Sequence, residues 1–252
     1  MTLGKDSFNT VEPSFSVPVN SASTENKRFN ACVDVHTATS IVSQVGNAPF
    51  TLYTFTVACK LTNTWWILQK RYSQVYKLRK TLCTSWFECK LTSGMKSLTI
   101  LLDHAHKIHF PRRHLSLDDK KIVHERKEGL GDYIAYVVWL RHACQLLVNA
   151  NRNDQCHAKA HEIVSLTTKF MEQPAAVEEE EEISNSTDQR KPTEDECAIC
   201  MSNYDPADND TILELTCGHS FHESCLVKWL DNKQTCPLCR NEALGGFIAA
   251  IN

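Results

Sequence analysis

The chain has 252 residues, 42% of them hydrophobic, which is enough for one large or two modest globular cores. Nothing in it approaches the roughly 18 uncharged apolar residues of a membrane span; the strongest candidate, residues 133–148, is interrupted by Arg141 and His142. The net charge of −3 hides an asymmetry, because residues 1–172 carry 22 Lys+Arg against 14 Asp+Glu, a net of +8, while residues 173–252 carry 5 against 16, a net of −11. That split predicts an anionic partner for the basic part.

Residues 1–26 are rich in Ser, Thr, Asn and Pro and read as a disordered segment, with no apolar signal-peptide core in the first 19. The expected location is therefore the cytosol, the nucleus or the cytosolic face of a membrane. From Phe29 the pattern turns β-rich. Residues 31–42, 51–61 and 64–72 carry β-branched and aromatic residues, including Tyr53, Phe55, Val57, Trp65 and Trp66, and short polar breaks separate them. They read as a three-stranded antiparallel meander. Val75, Leu78 and Leu82 at i, i+3 and i+7 begin a helix. An irregular loop is expected over about 85–114, containing Gly94 and Pro111. A helix over 117–145, interrupted near Gly129 and Gly131, and another over 154–170 follow.

The run Gln69-Lys70-Arg71-Tyr72-Ser73-Gln74-Val75 closes the third strand and opens the first helix. It resembles the PX (phox homology) domain, a phosphoinositide-binding module, as does the order of strands, helix, proline-containing loop and helices. The resemblance covers 27–172 and implies phosphatidylinositol 3-phosphate as ligand. It implies that Arg71 grips the 3-phosphate, that Tyr72 packs on the inositol ring and that Arg126 binds the ring hydroxyls. The resemblance also implies that Arg113, with Arg112 beside it in Phe110-Pro111-Arg112-Arg113, takes the phosphate contact of the family's lysine. Gln74-Val75 stands where the family has Asp-Phe, and the loop has Pro111 without a second proline.

Residues 173–193 form an acidic linker centred on Glu178–Glu182, which cannot bury itself. Two independently folding cores are expected on either side of it. Twelve cysteines without an export signal, six of them in the last 56 residues beside two histidines, point to metal ligation rather than disulfides. The other six read as buried thiols.

The clustered residues are Cys197, Cys200, Cys217, His219, His222, Cys225, Cys236 and Cys239, spaced C-x2-C-x16-C-x-H-x2-H-x2-C-x10-C-x2-C. Eight soft ligands suit two tetrahedral zinc ions with closed, structural coordination. Spacing alone leaves three ways to pair the four ligand pairs. The pattern resembles the RING family in its H2 variety. That resemblance implies an interleaved pairing: Cys197, Cys200, His222 and Cys225 on one zinc, and Cys217, His219, Cys236 and Cys239 on the other. It also implies a ubiquitin ligase that forms no covalent ubiquitin intermediate and instead positions a charged conjugating enzyme. Ile199, Trp229 and Pro237 match the family's conjugating-enzyme groove, and Arg240 matches the linchpin that bridges that enzyme and ubiquitin.

The expected architecture is α+β: a PX-like sheet with a helical subdomain, the acidic linker, a RING over 194–244 and a tail over 245–252. The tail either joins a RING dimer or packs on its own domain. The function expected is that of an endosomal ubiquitin ligase with two Zn2+, acting with a conjugating enzyme, ubiquitin, a phosphoinositide membrane and a protein substrate, and with no nucleic acid. The alternatives are a trafficking adaptor whose RING is a structural zinc scaffold, and a ligase whose PX-like part recruits protein in place of lipid.

Overall fold

The computed structural model describes residues 29, 31–43, 48–114, 119–150, 155–171, 196–205 and 210–249. The N-terminal segment 1–26 and the linker 173–193, with its glutamate run, lie outside the described residues. Three long strands come first: β1 (Val33–Val42), β2 (Phe50–Cys59) and β3 (Thr64–Arg71). They form the expected meander, with β1 against β2 from Val33↔Cys59 to Val42↔Phe50, and β2 against β3 from Leu52↔Arg71 to Cys59↔Thr64.

Four helices follow: α1 (Tyr72–Leu91), α2 (Lys96–Lys107), α3 (Lys120–Asn149) and α4 (Gln155–Met171). The stretch expected to be an irregular loop is thus largely helical. Leu98, Leu102 and Ala105 at i, i+4 and i+7 give α2 a buried face, and Gly94 (φ +83°) makes the turn that folds it back along α1. Helix α3 starts on Asp119, whose carboxylate accepts from the Ile122 N–H at 2.8 Å. It runs unbroken through Gly129 and Gly131, because both lie where another element comes close: Pro111 at the first, Thr37 and Val35 at the second.

The C-terminal part is small: a hairpin of β4 (Glu196–Cys197) and β5 (Ser202–Asn203), strands β6 (Ile212–Leu215) and β7 (Ser220–His222), helix α5 (Glu223–Leu230) and strand β8 (Gly245–Ala249). The expected three-stranded sheet is corrected here, and the tail, expected to join a RING dimer or to pack on its own domain, packs on that domain and also on the first sheet. Strand β8 is the tail, and it pairs antiparallel with β3 through Thr64↔Phe247, Trp65↔Gly246 and Trp66↔Gly245. On its other side it pairs with β6 from Ile212↔Ala249 to Leu215↔Gly246. One antiparallel sheet of order β1-β2-β3-β8-β6-β7 therefore runs through both parts of the molecule.

Side-chain alternation explains why the junction forms. Trp66 and Leu68 point to one face of β3 and join the core under the four helices, with Tyr53, Phe55, Val75 and Leu82. Trp65 and Ile67 point to the other face. There they share a second core with Leu213, Leu215, Phe221, Leu226 and Leu230 of the C-terminal part. The expectation of two separate cores fails for this reason: without the C-terminal part, the outer face of β3 would expose Trp65 and Ile67 to water. Trp65 is 1% exposed, and its indole Nε1 donates to the Glu214 carbonyl at 2.9 Å, reaching across β8. Gly246 makes that reach possible, since a Cβ there would overlap the Glu214 carbonyl oxygen and crowd the indole nitrogen.

Candidate functional site

The local chain geometry of the C-terminal part is built around two cysteine turns of the same shape. After Cys197-x2-Cys200, Met201 takes φ +57° and its N–H donates to the Cys197 carbonyl at 2.7 Å. After Cys236-x2-Cys239, Arg240 takes φ +64° and its N–H donates to the Cys236 carbonyl at 3.1 Å. Each turn also aims a backbone N–H at its second sulfur. The Ser202 N–H holds the Cys200 thiol down at about 6, and the Asn241 N–H lowers that of Cys239. Both favour the thiolate that a metal binds.

The eight ligands gather into two groups. Cys197, Cys200, His222 and Cys225 form one, and Cys217, His219, Cys236 and Cys239 the other, with ligand atoms within 4.8 Å of one another in each. The pairing is interleaved, as the resemblance implies. Tetrahedral bonds of about 2.3 Å to sulfur and about 2.0–2.1 Å to nitrogen place S and N roughly 3.6 Å apart. Cys200 Sγ lies 3.3 Å from His222 Nδ1; Cys217 Sγ and Cys236 Sγ lie 3.3 and 3.6 Å from His219 Nδ1. The geometry fits zinc. So does the electrostatics: burial pushes the Cys217 thiol up to about 12 and that of Cys225 up to about 11, with neighbouring cysteines adding to it, so only a cation at the centre keeps all the sulfurs ionised. The strand–helix junction His222–Glu223 fixes one ligand, and α5 carries Cys225 one turn on.

Two surfaces flank these centres. Ile199, Lys228, Trp229, Asn232 and Lys233 line a groove of about 450 Å³ beside Cys225. The structure brings Ile199 and Trp229 together there. Trp229 is fixed by its indole N–H donating to the Thr235 carbonyl at 2.7 Å, and the Lys233 ammonium lies 5.5 Å from its ring centre. Pro237 is half-buried in the second cysteine turn and does not line the groove. Arg240 is exposed at the end of the same turn. Lys228, Asn232 and Lys233 were missed from the sequence; their signal is position, since Lys228 adjoins Trp229 on α5 and Asn232 and Lys233 follow in the turn after it.

On the N-terminal part, Arg71, Tyr72, Arg113 and Arg126 line one cavity of about 620 Å³, together with Phe50 and His114. Arg112 is exposed and does not line it. The Arg71 guanidinium stacks 4.0 Å over Phe50, and that of Arg126 lies 3.9 Å over the Tyr72 ring. The Tyr72 hydroxyl donates to the Pro111 carbonyl at 2.9 Å, tying the strand end to the loop that carries Arg113. Gln74, where the PX pattern has an acid, caps α1 by accepting from the Arg71 N–H at 2.8 Å. Phe50 escaped the sequence reading because it opens β2, remote in sequence from Arg71.

Where the two parts meet, His36 Nε2 of β1 lies 2.9 Å from Asp231 Oδ1 at the end of α5. Nearby, burial and the Asp34 carboxylate push the Glu223 carboxyl up to about 7. No helix among the described residues is long and apolar enough to cross a membrane.

The ring finger domain family model matches residues 195–240. The chain is 40% identical over 26% of its length to the probable E3 ubiquitin-protein ligase HIP1 of Oryza sativa subsp. japonica, covering 11% of that protein. It is 48% identical over 18% of its length to E3 ubiquitin-protein ligase ATL4 of Arabidopsis thaliana, covering 14% of it. To E3 ubiquitin-protein ligase RNF128 of Homo sapiens it is 43% identical over 21% of its length, covering 12%. The chain thus spans between 11% and 14% of the length of these relatives. No solved structure matches. Ligand order, interleaved geometry and family match agree that residues 195–240 are a RING finger of the H2 kind with two cross-braced zinc sites.

Proposed function

We propose that the protein is a RING-type ubiquitin ligase recruited to phosphoinositide-bearing membranes. The observation that carries the ligase reading is the Ile199–Trp229 groove lying directly against a zinc-held scaffold, with Arg240 exposed on the partner knuckle. The two zinc ions are structural in this reading. Their four-ligand sites leave no open position for water, so they supply rigidity and no Lewis-acid step. The groove holds the conjugating enzyme by its apolar wall. The forked guanidinium of Arg240 bridges that enzyme and ubiquitin, which holds the thioester in a reactive arrangement. The chain's similarity to proteins named E3 ubiquitin-protein ligases supports this reading.

For recruitment, the cavity between Arg71, Tyr72, Arg113 and Arg126 supplies three guanidinium groups and an aromatic wall, which suits a multiply phosphorylated inositol head group. Phosphatidylinositol 3-phosphate is the ligand this reading assigns, and the cytosolic face of endosomes is the location that follows from it.

The test has two arms. Zinc-loaded protein is assayed for self-ubiquitination with a panel of conjugating enzymes; Ile199→Ala and Arg240→Ala are expected to lose at least about tenfold in rate while zinc content stays unchanged. Liposome flotation with and without phosphatidylinositol 3-phosphate is expected to show lipid-dependent binding that Arg71→Ala abolishes. Activity equal in all variants, or none with any enzyme in the panel, contradicts the ligase reading. Equal flotation with both liposomes contradicts the recruitment reading.

A further inference from the structure

The large sheet ends on β1, which pairs only with β2 among the described residues. The outer edge of this ten-residue strand therefore keeps alternate N–H and C=O groups for another partner. Along that edge runs a cavity of about 620 Å³, walled by Val33–Thr37 of β1 and by one face of α3 that presents Lys127, Glu128, Gly131 and Asp132. Gly131 lets the helix approach. A Cβ there would meet the Thr37 hydroxyl at 2.9 Å and lie 4.0 Å from the Val35 carbonyl oxygen. Thr37 is 5% exposed and lines this cavity. An edge strand facing a helix across a groove is the geometry that accepts an extended peptide by strand addition, with main-chain bonds to the strand and alternate side chains against the helix.

Charge selects the peptide. Asp34 faces the groove from β1 and is held by Lys60 at 2.9 Å. Glu128 reaches only the exposed His124, at 3.7 Å, and Asp132, one helical turn on, has no ion pair among the described residues. Lys127 is the ammonium among the lining residues. Burial, followed by the Glu128 charge, pushes the Asp132 carboxyl above its ordinary value, against a weaker opposing effect from His109. The groove is short of cations. It also ends at the RING: His36 on its wall contacts Asp231, which lies between Trp229 and Asn232 of the Ile199 groove.

We propose that the β1–α3 groove is the substrate-recruiting surface, taking an extended segment of a partner protein that bears Lys or Arg side chains as an added strand on β1. The purpose assigned to the groove rests on the ligase reading. A segment held there lies beside the surface that would carry the conjugating enzyme, so flanking lysines reach the thioester at high effective concentration without a hinge movement.

The test is selection of a random peptide library, displayed on phage, on the full zinc-loaded chain and on its Glu128→Lys/Asp132→Lys variant. Both substituted positions are exposed on α3, and a melting temperature no lower than that of the unaltered chain, with unchanged zinc content, verifies the variant's fold. The recovered peptides are expected to carry Lys or Arg at alternate positions, as the two-residue period of a strand requires. They are expected to bind the double variant at least about tenfold more weakly, and to lose binding when a central residue is replaced by proline. Recovery of no peptide, of peptides without basic bias, or of peptides that bind the variant equally well overturns the proposal. Selective peptide binding by a protein that transfers no ubiquitin keeps the groove and removes the ligase reading; transfer without selective binding does the reverse.

Discussion

Arg240 and Met201 show how much one residue's backbone can decide. Both occupy left-handed φ after a cysteine turn, a conformation that costs an ordinary side chain of order 1 kcal/mol or more. The turn hydrogen bonds and metal ligation hold them there. Arg240→Gly is expected to keep zinc and raise stability slightly, while abolishing ubiquitin transfer; Arg240→Lys is expected to restore little, because an ammonium lacks the planar fork. Zinc content and transfer rate measured on both variants check this. Asp132 gives a pH prediction. Its carboxyl is raised in the folded protein, so the folded state binds the proton more tightly than the unfolded chain, and stability is lost as pH rises through the carboxylate range. Asp132→Asn is expected to raise the melting temperature at neutral pH and to change it less in acid. At this scale the eight ligands were legible because their spacing is itself the information. Arg71, Tyr72, Arg113 and Arg126 were legible only through resemblance, and the structure places them in one cavity. Thr37 and Asp132 carried no local signal, because the groove they line is made by two elements far apart in sequence.

Among the elements, β8 has the largest consequence. Five residues read as a tail are the strand that joins β3 to β6, and the clue lay in two places. Trp65-Trp66-Ile67-Leu68 is a continuous apolar run in a strand, which means burial on both faces; the meander assigned from it accounts for one face only. Gly245-Gly246 in an apolar stretch marks close backbone approach. Gly246→Ala is expected to cost about 1–3 kcal/mol, the range for overpacking, and Trp65→Phe about 1–3 kcal/mol for the carbonyl partner left buried without its donor. Urea unfolding of the zinc-loaded protein checks both, with a similar loss from either variant expected because they disturb the same junction. Helix α2 was hidden between Gly94 and Pro111, two strong breakers, although its Leu98, Leu102 and Ala105 already carried a helical period.

For the whole molecule, the shared sheet turns the arginine-lined cavity and a zinc module into one body. Strand β3 runs from Trp65, buried against the RING, to Arg71, stacked at the arginine-lined cavity, so the strand sets these two residues roughly 20 Å apart from a rise of about 3.3 Å per residue. Metal removal is therefore expected to act beyond the RING. A chelator should unfold residues 196–249 and raise hydrogen exchange in β3, whose outer face loses its cover, while α1–α4 retain their own core. Exchange in β3 that is indifferent to zinc would contradict the joined sheet. The composition of the chain foretold the division into a basic and an acidic part; it held nothing about their docking, which depends on a tertiary pairing between strands some 180 residues apart in sequence.

The account's central claim is that this zinc-held surface activates a charged conjugating enzyme, and its most direct test is single-turnover discharge of ubiquitin from that enzyme to free lysine. The full zinc-loaded chain is predicted to accelerate discharge by at least about tenfold, with Arg240→Ala and Ile199→Ala each returning it to the rate of the enzyme alone. A discharge rate unchanged by the wild-type protein across a panel of conjugating enzymes, with both zinc sites filled, would contradict it.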